Sequence, residues 1–239
     1  MESSLERIDP DRVATNETTG AATLQLHLQR YHYAGRFLIK GNCADIACGI
    51  GYGAYLFATE YANSIDRIVA VDLEEAAIER ARSRYAHPSI EFVVSDAMLF
   101  HPVFRLQNIV SLETIEHLPD PAGFVRNMSN YLVKGGRFIA SVPITPSMDA
   151  NPYHLHDFSK TSFIKLFEDA GLTMIDSFVQ KQSYQLFSIL NKKEERSKDL
   201  RKGILSYYMR HPNKFFLRLS SLLKDGFTNK YLVAVFEKL

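Results

Sequence analysis

Ala44-Asp45-Ile46-Ala47-Cys48-Gly49-Ile50-Gly51-Tyr52-Gly53 decides how this chain is read. An apolar, β-prone run enters a glycine-rich turn, and a helix-forming stretch follows from Ala54 to Tyr61. Downstream, Val69-Ala70-Val71-Asp72 is a second apolar run that ends in an acid. A strand, a glycine turn, a helix and a second strand closed by a carboxylate are the parts with which a parallel α/β sheet holds an adenosine-containing cofactor. The glycines let the backbone approach the ligand, and the acid accepts hydrogen bonds from ribose hydroxyls. The turn fits GxGxG, and with Ala54 it also fits GxGxxA, so nicotinamide dinucleotides and S-adenosylmethionine both remain open at this point.

The totals are those of an ordinary globular protein. The chain has 239 residues, 46% hydrophobic and 23% charged, enough for one sizeable core. Its two cysteines, Cys43 and Cys48, read as small buried hydrophobes of a reducing compartment, with no CxxC or zinc spacing. No apolar run reaches the ~18 residues of a membrane span, and the N-terminus lacks signal-peptide order. A soluble, cytoplasmic protein is expected. The net charge of +1 argues against a nucleic-acid partner, but the charge is unevenly placed. From Lys181 onward there are 13 Lys and Arg against 5 Asp and Glu.

Outward from the turn, strand and helix patterns alternate. Thr19–Leu38 carries apolar residues at helical spacing and is expected to lie over the cofactor entrance. Strands are expected at Cys43–Ala47, Arg67–Val71, Ile90–Val94, Asn108–Leu112, Arg137–Val142 and Thr173–Gln180. Helices fall at Ala54–Tyr61, Glu74–Tyr85, Ala122–Leu132 and Thr161–Ala170, the last stopped by Gly171. This order requires parallel pairing with right-handed crossovers. Tyr231–Phe236 is a lone closing strand. One domain is expected: an N-terminal helical cap over 1–40, a core over 41–182, a basic helical insertion over 183–229 and the closing strand over 230–239. In the insertion, Tyr207, Tyr208, Phe215 and Phe216 read as the buried face of paired helices. Its basic side suits weak contact with a membrane surface.

Three acids choose between the cofactors. Asp45 lies inside the first strand, Asp72 ends the second, and Asp96, in Val93-Val94-Ser95-Asp96-Ala97, closes the third. Acids at three successive strand ends suit a ligand with a ribose, an adenine amine and a sulfonium. A pyrophosphate would be repelled there. No Tyr-x-x-x-Lys pair supports a dehydrogenase or epimerase, which leaves that reading as the alternative.

With these residues in hand, the chain resembles the class I S-adenosylmethionine-dependent methyltransferases. Asp45–Gly53 is similar to their first motif, with Ala47 where glycine is usual. Asp72 and Leu73 match the ribose-binding position, and Asp96-Ala97 the adenine-contacting pair. Ser111–Leu118 and Leu132–Phe138 resemble the segments after the fourth strand and into the fifth. The resemblance implies S-adenosyl-L-methionine as cofactor. It also implies a Rossmann-like, doubly wound, seven-stranded sheet, mostly parallel with an antiparallel last strand. The donor would be held by Asp45, Ala47, Cys48, Gly49, Gly51, Gly53, Asp72, Leu73, Asp96, Ala97 and Glu113. A narrower likeness rests on Glu6–Pro10, Arg30–Ala34, Glu113–Leu118 and Asn151–Phe158. It is to a bacterial subgroup tied to glycosyltransferases and surface-polysaccharide assembly, which includes rhizobial enzymes that 2-O-methylate the fucose of Nod factors. Members usually carry Arg-Glu where this chain has His156-Asp157.

Transfer to a sugar hydroxyl needs the acceptor aligned and its proton removed. His117, past the fourth strand at the ligand-binding edge, is the expected base, with Glu113 or Glu116 beside it. The loop Pro143–Phe158 is expected to meet a small-molecule or oligosaccharide acceptor through Asn151, Tyr153, His154 and His156, with Tyr31 reaching it from the N-terminal helix. His154 or His156 is the alternative base. Asp149, His154, His156 and Asp157 are metal-ligating types, but their spacing makes no metal motif, and no metal is assigned. N- or C-methylation of another metabolite, and a binding module without turnover, are the other readings.

Overall fold

The computed structural model describes residues 18–149, 151–183, 204–226 and 228–239. The Glu6–Pro10 stretch and positions 184–203 of the basic insertion lie outside them. A long helix, α1 (Thr18–Gly35), precedes the alternating core. The core runs β1 (Gly41–Ile46), α2 (Tyr52–Glu60), β2 (Ile65–Asp72), α3 (Glu75–Arg84), β3 (Ile90–Val94) and β4 (Leu106–Leu112). A 3-10 turn at Ile115–His117 leads to α4 (Pro121–Tyr131) and β5 (Leu132–Pro143). Then come α5 (Lys160–Glu168), β6 (Leu172–Ser183), α6 (Ile204–Arg210), α7 (Pro212–Asp225) and β7 (Thr228–Lys238).

The strands form one seven-stranded sheet in the order β3-β2-β1-β4-β5-β7-β6. β1 through β5 pair in parallel, and β7 inserts antiparallel between β5 and β6. The expected doubly wound architecture with an antiparallel last strand is therefore present. The chain leaves β1 toward β2 and β3, then returns to lay β4 on the other side. Strand order thus reverses between β1 and β4, which is where open α/β sheets bind ligands.

Side chains alternate between two cores, as the period of two requires. Ala44, Ile46, Val69, Val71 and Ile109 pack with Phe124 of α4 and Phe163 and Phe167 of α5. Cys43, Ile68, Ala70 and Val110 pack on the other face with Tyr31 and Ala34 of α1 and Phe57 of α2. This parity fixes the fate of Asp45: it shares a face with Cys43 and so lies beneath α1, not beneath α4.

Polar bonds seat α1 on that face. Buried Arg30 donates to Gln180 Oε1 at 2.7 Å, and Gln180 Nε2 donates to the Leu26 carbonyl at 3.0 Å. The Arg30 guanidinium also lies 4.9 Å from the centre of the Tyr231 ring. Asn108, buried in β4, accepts from Ile39 N and donates to Ile39 O, which fixes the link from α1 into β1. The expected buried aromatic face of α6 and α7 is corrected by the structure. Tyr208 meets Phe215 edge-on at 5.5 Å, yet Phe215 is exposed and Phe216 is 64% exposed. The two helices rest on the loop after β5 and not on the sheet, so their aromatic stripe has only partial cover.

Gln180→Ala should release α1 in preference to the sheet. Loss of the bond to a charged, buried Arg30 should cost about 2 kcal/mol of stability. Hydrogen exchange should accelerate over α1 while β1 and β4 stay protected; uniform acceleration across the sheet would refute this account of how α1 is held.

Candidate functional site

The acids and glycines picked out in the sequence converge at the carboxyl ends of β1, β2, β3 and β4. Asp72 closes β2, and its carboxylate is oriented from two sides. Gly49 N donates to Oδ2 at 2.8 Å and Glu74 N donates to Oδ1 at 3.0 Å. The glycine turn and the second acid are thus bound to each other. Asp96, beyond β3, turns one oxygen onto Met98 N at 2.7 Å, an Asx turn that fixes its orientation. Leu73, beside Asp72, is 68% exposed, an apolar face at the lip of this edge. Ala97 is partly buried against the α4-side core.

Asp45 is the unusual member. It is fully buried, and its nearest polar contact is the Tyr31 hydroxyl, 3.4 Å from both carboxylate oxygens. Burial raises its pKa to about 7; the Tyr31 bond opposes that shift and the nearby Asp72 charge reinforces it. Tyr31, expected at the acceptor, therefore sits on the floor of the glycine-turn side. Its ring packs edge-on against Tyr52 at 5.7 Å and Phe57 at 5.4 Å. Gly53 is required by the same ring, because a Cβ there would stand 2.0 Å from it. Tyr52 in turn bonds His27 Nδ1 at 3.1 Å, and His32 reaches the Tyr61 hydroxyl at 3.4 Å. Both histidines thus serve the packing of α1 on α2.

Two residues other than glycine adopt positive φ among the described residues, and both line this edge. Ala47 has φ 60 and Glu113 has φ 53. The turn also uses left-handed Gly49 and Gly51. Ala47 occupies a conformation that costs a side chain about 1 kcal/mol, which explains why glycine suits that position. Glu113 is pinned at the end of β4. Its N–H donates to Ser141 O at 3.0 Å, and Ser141 Oγ donates to Glu113 Oε1 at 2.7 Å. Such strain collects where a side chain must be presented to a ligand.

Across from the acids, the 3-10 turn and the loop after β5 meet. Leu155 N and His156 N donate to the Glu116 carbonyl at 2.8 and 3.3 Å, stapling the two segments. His117 and His154 then lie edge to face, with ring centres 4.6 Å apart. His117 Nδ1 is 3.1 Å from the Tyr153 carbonyl, which can only accept, so that nitrogen carries a proton. His154 Nδ1 is 2.7 Å from Ser147 Oγ. Burial lowers the pKa of His154 to about 4, the charge of His117 adds to the fall, and Asp157 opposes it. At neutral pH His154 is therefore uncharged. His156 is turned away, its Nε2 2.9 Å from the Leu118 carbonyl, and Asn151 Oδ1 accepts from Tyr153 N at 3.0 Å. Tyr153 itself is exposed.

The insertion reaches the same loop by charge. Lys214 Nζ is 2.5 Å from Asp157 Oδ2. Burial pushes Asp157 up, but bonds from Lys214, Ser147 N and Met148 N outweigh it and hold the carboxyl below its usual range. Arg218 pairs with buried Asp149 through two nitrogens, and Tyr208 donates to the same carboxylate at 2.5 Å. Asp149 and Asp157, both of metal-ligating type, are thus taken by cations of α7. Sequence reasoning missed this pairing, the Tyr31–Asp45 contact and the approach of His154 to Glu116 and His117; each joins residues far apart in the chain.

Comparison with known proteins places this geometry. Residues 44–140 match the family model described as a methyltransferase domain. A Mycolicibacterium smegmatis protein, named as a probable S-adenosylmethionine-dependent methyltransferase, is 32% identical over 150 residues, covering 60% of this chain and 54% of its own. Phosphoethanolamine N-methyltransferase 1 of Arabidopsis thaliana is 29% identical over 176 residues, 66% of this chain and 35% of its own. This chain therefore spans about half the length, or less, of these curated relatives. The solved N-methyltransferase NodS of Bradyrhizobium japonicum, bound to S-adenosyl-L-homocysteine, shares the fold at a TM-score of 0.62. It is 17% identical and covers 98% of this chain and 94% of its own.

Ala47→Gly should relieve the left-handed strain in the turn and raise stability by about 0.5–1 kcal/mol. Urea denaturation measures it, and a loss of stability would mean that the Ala47 methyl group packs where the backbone strain suggests it only intrudes.

Proposed function

We propose, on the premise that residues 44–140 form an S-adenosylmethionine-dependent methyltransferase domain, that this protein methylates a hydroxyl of a carbohydrate or glycoconjugate. The observation that carries the acceptor reading is the pair of facing imidazoles, His117 and His154, beside buried Glu116 at the sheet edge that also holds the donor acids. A sulfonium donor is already activated, so the protein must supply alignment and proton removal. A sugar hydroxyl needs the second most, and the imidazoles are the groups suited to it.

In this reading Asp72 receives the ribose hydroxyls, and Asp96 with Ala97 receives the adenine amine. Leu73 covers the base, and Ala47, Cys48, Gly49, Gly51 and Gly53 form the floor. Asp45 and Glu113 face the positively charged methionine end. Asn151, Tyr153, His154 and His156 lie on the acceptor loop, while Tyr31 acts on the donor side by holding Asp45. His117 is assigned the acceptor proton through Nε2, the nitrogen left free by its bond to Tyr153 O. The methyl then moves in line from sulfur to oxygen, leaving a neutral thioether.

The likeness to phosphoethanolamine N-methyltransferase over 66% of the chain supports a second reading, transfer to an amine from the same donor site. Labelled donor offered with nucleotide sugars, oligosaccharides, a fucosylated lipo-chitooligosaccharide and phosphoethanolamine separates the two. Label recovered as a sugar methyl ether is the expected result, and the fucose 2-position is its most specific form. Label found only on an amine would overturn the hydroxyl reading. Calorimetry with S-adenosylhomocysteine and with NAD tests the premise, since NAD binding alone would restore the dehydrogenase alternative.

His117→Ala should lower kcat by about 10²–10⁴-fold with donor affinity unchanged; an equal fall in both would place His117 in the donor site instead. Donor binding should also depend on pH through Asp45. Its carboxyl, raised to about 7, is protonated below that pH and must ionise to meet a cationic ligand. Affinity for S-adenosylmethionine should therefore rise about tenfold from pH 6 to pH 8. The same shift works against the ligand-free fold: the stability that protonated Asp45 contributes is complete below the free carboxyl range and is lost as pH passes 7. Asp45→Asn should flatten the affinity profile, and an unchanged profile would move the titration elsewhere.

A further inference from the structure

We infer that Glu116, His117 and His154 form a binding site for a first-row divalent cation, with coordination positions left open for the oxygens of a polyhydroxylated acceptor. One ligand atom from each residue falls within a sphere of mutual separations no greater than 4.8 Å. Ligands around one ion at about 2.1 Å stand roughly 3–4 Å apart, so a small closing movement completes the set. Two imidazoles and a carboxylate select for Zn, Co, Fe or Mn over calcium or magnesium, which take oxygen alone.

The surroundings are built as a metal site requires. His117 Nδ1 donates to the Tyr153 carbonyl at 3.1 Å, and His154 Nδ1 bonds Ser147 Oγ at 2.7 Å. Each bond orients its ring and leaves Nε2 outside that bond, the arrangement by which outer contacts aim metal-binding histidines. Ser147 is itself fixed, because its N–H donates to Asp157 at 2.8 Å. The two ligand-bearing segments are locked together by the Glu116 carbonyl, which accepts from Leu155 N and His156 N. Glu116 is 1% exposed, and an acid buried there gains from a cation beside it. Asp149 and Asp157, the other carboxylates of the loop, are satisfied by Arg218 and Lys214 and do not compete.

The inference deepens the hydroxyl reading above and rests on it only for the ion's role. A hydroxyl coordinated to the ion loses its proton to solvent more readily. The freed oxygen pair forms the new C–O bond to the methyl carbon, and the C–S pair returns to sulfur. In the loaded protein the ion thus lowers the hydroxyl pKa in place of the proton removal that Nε2 of His117 performs in the ion-free protein.

The test uses the full chain stripped with EDTA and titrated with Co²⁺ by calorimetry and visible absorption. One equivalent should bind the wild type, with d–d bands of a nitrogen–oxygen site. His117→Ala and His154→Ala should each weaken binding at least about tenfold, and Glu116→Gln should do so while keeping the side-chain shape. His101→Ala, which removes an exposed histidine elsewhere, should leave it unchanged. Affinity for S-adenosylhomocysteine, equal in wild type and variants, reports that each is folded. A wild type that binds no stoichiometric Co²⁺, or that binds it equally after both histidine changes, overturns the site. Failure to bind S-adenosylhomocysteine in the wild type would instead sink the donor reading and leave the Co²⁺ result standing.

Discussion

A carboxyl group enclosed within the central strand is the constraint on which the rest of this structure depends. Asp45 is fully buried between apolar neighbours, where an isolated charge is very costly. Its pKa near 7 means that the cost is met partly by keeping the proton. Tyr31 supplies the hydroxyl contact, which requires α1 to lie across β1. The Tyr31 ring then leaves no room for a side chain at position 53. Arg30, Gln180 and Asn108 hold the helix where that contact needs it. A protein selected for stability alone would place an aliphatic residue at this point of a parallel sheet. On the proposed reading, a cationic donor that ionises Asp45 on binding would account for its presence there.

The same logic distinguishes the two groups of residues at this sheet edge. The side proposed for the donor is acidic, with Asp72 bonded to the glycine turn and Glu113 to Ser141 of β5. Backbone strain at Ala47 and Glu113 lies here. The side proposed for the acceptor is assembled from a 3-10 turn and a loop, and it is fastened by charge. Lys214 and Arg218 of α7 satisfy Asp157 and Asp149, so two cations of the basic insertion are spent within the molecule. What α6 and α7 leave exposed is largely apolar, with Leu205, Met209, Phe216 and Leu223 facing outward.

The acids and glycines at the strand ends were the legible part of the sequence. Each of them lies within a few positions of a strand end, and strand ends are marked locally by apolar runs and glycines. The parallel order and the antiparallel last strand follow from the alternation of elements and from the lone closing strand. What could not be read were contacts set by the fold as a whole. Tyr31 was expected at the acceptor because its helix was expected to cover the entrance. The parity of Asp45 with Cys43 is the signal that would have placed it correctly. Phe215 and Phe216 carried the spacing of a buried face, but spacing cannot reveal that their helices rest on a loop and not on the sheet.

His117 shows why the acceptor chemistry resists reading from one segment. In sequence it is a single histidine after β4, fit to be a base or a turn residue. In the fold its Nδ1 is committed to a carbonyl, its ring faces that of His154, and Glu116 lies beside both. A lone imidazole can take a proton from a sugar hydroxyl only transiently, because the hydroxyl is by far the weaker acid. Two imidazoles and a carboxylate gathered together can instead hold a cation, which stabilises the oxyanion itself. The demand of a sugar hydroxyl for that stabilisation, which an amine does not share, ties the identity of the acceptor to whether this cluster works as three separate groups or as one.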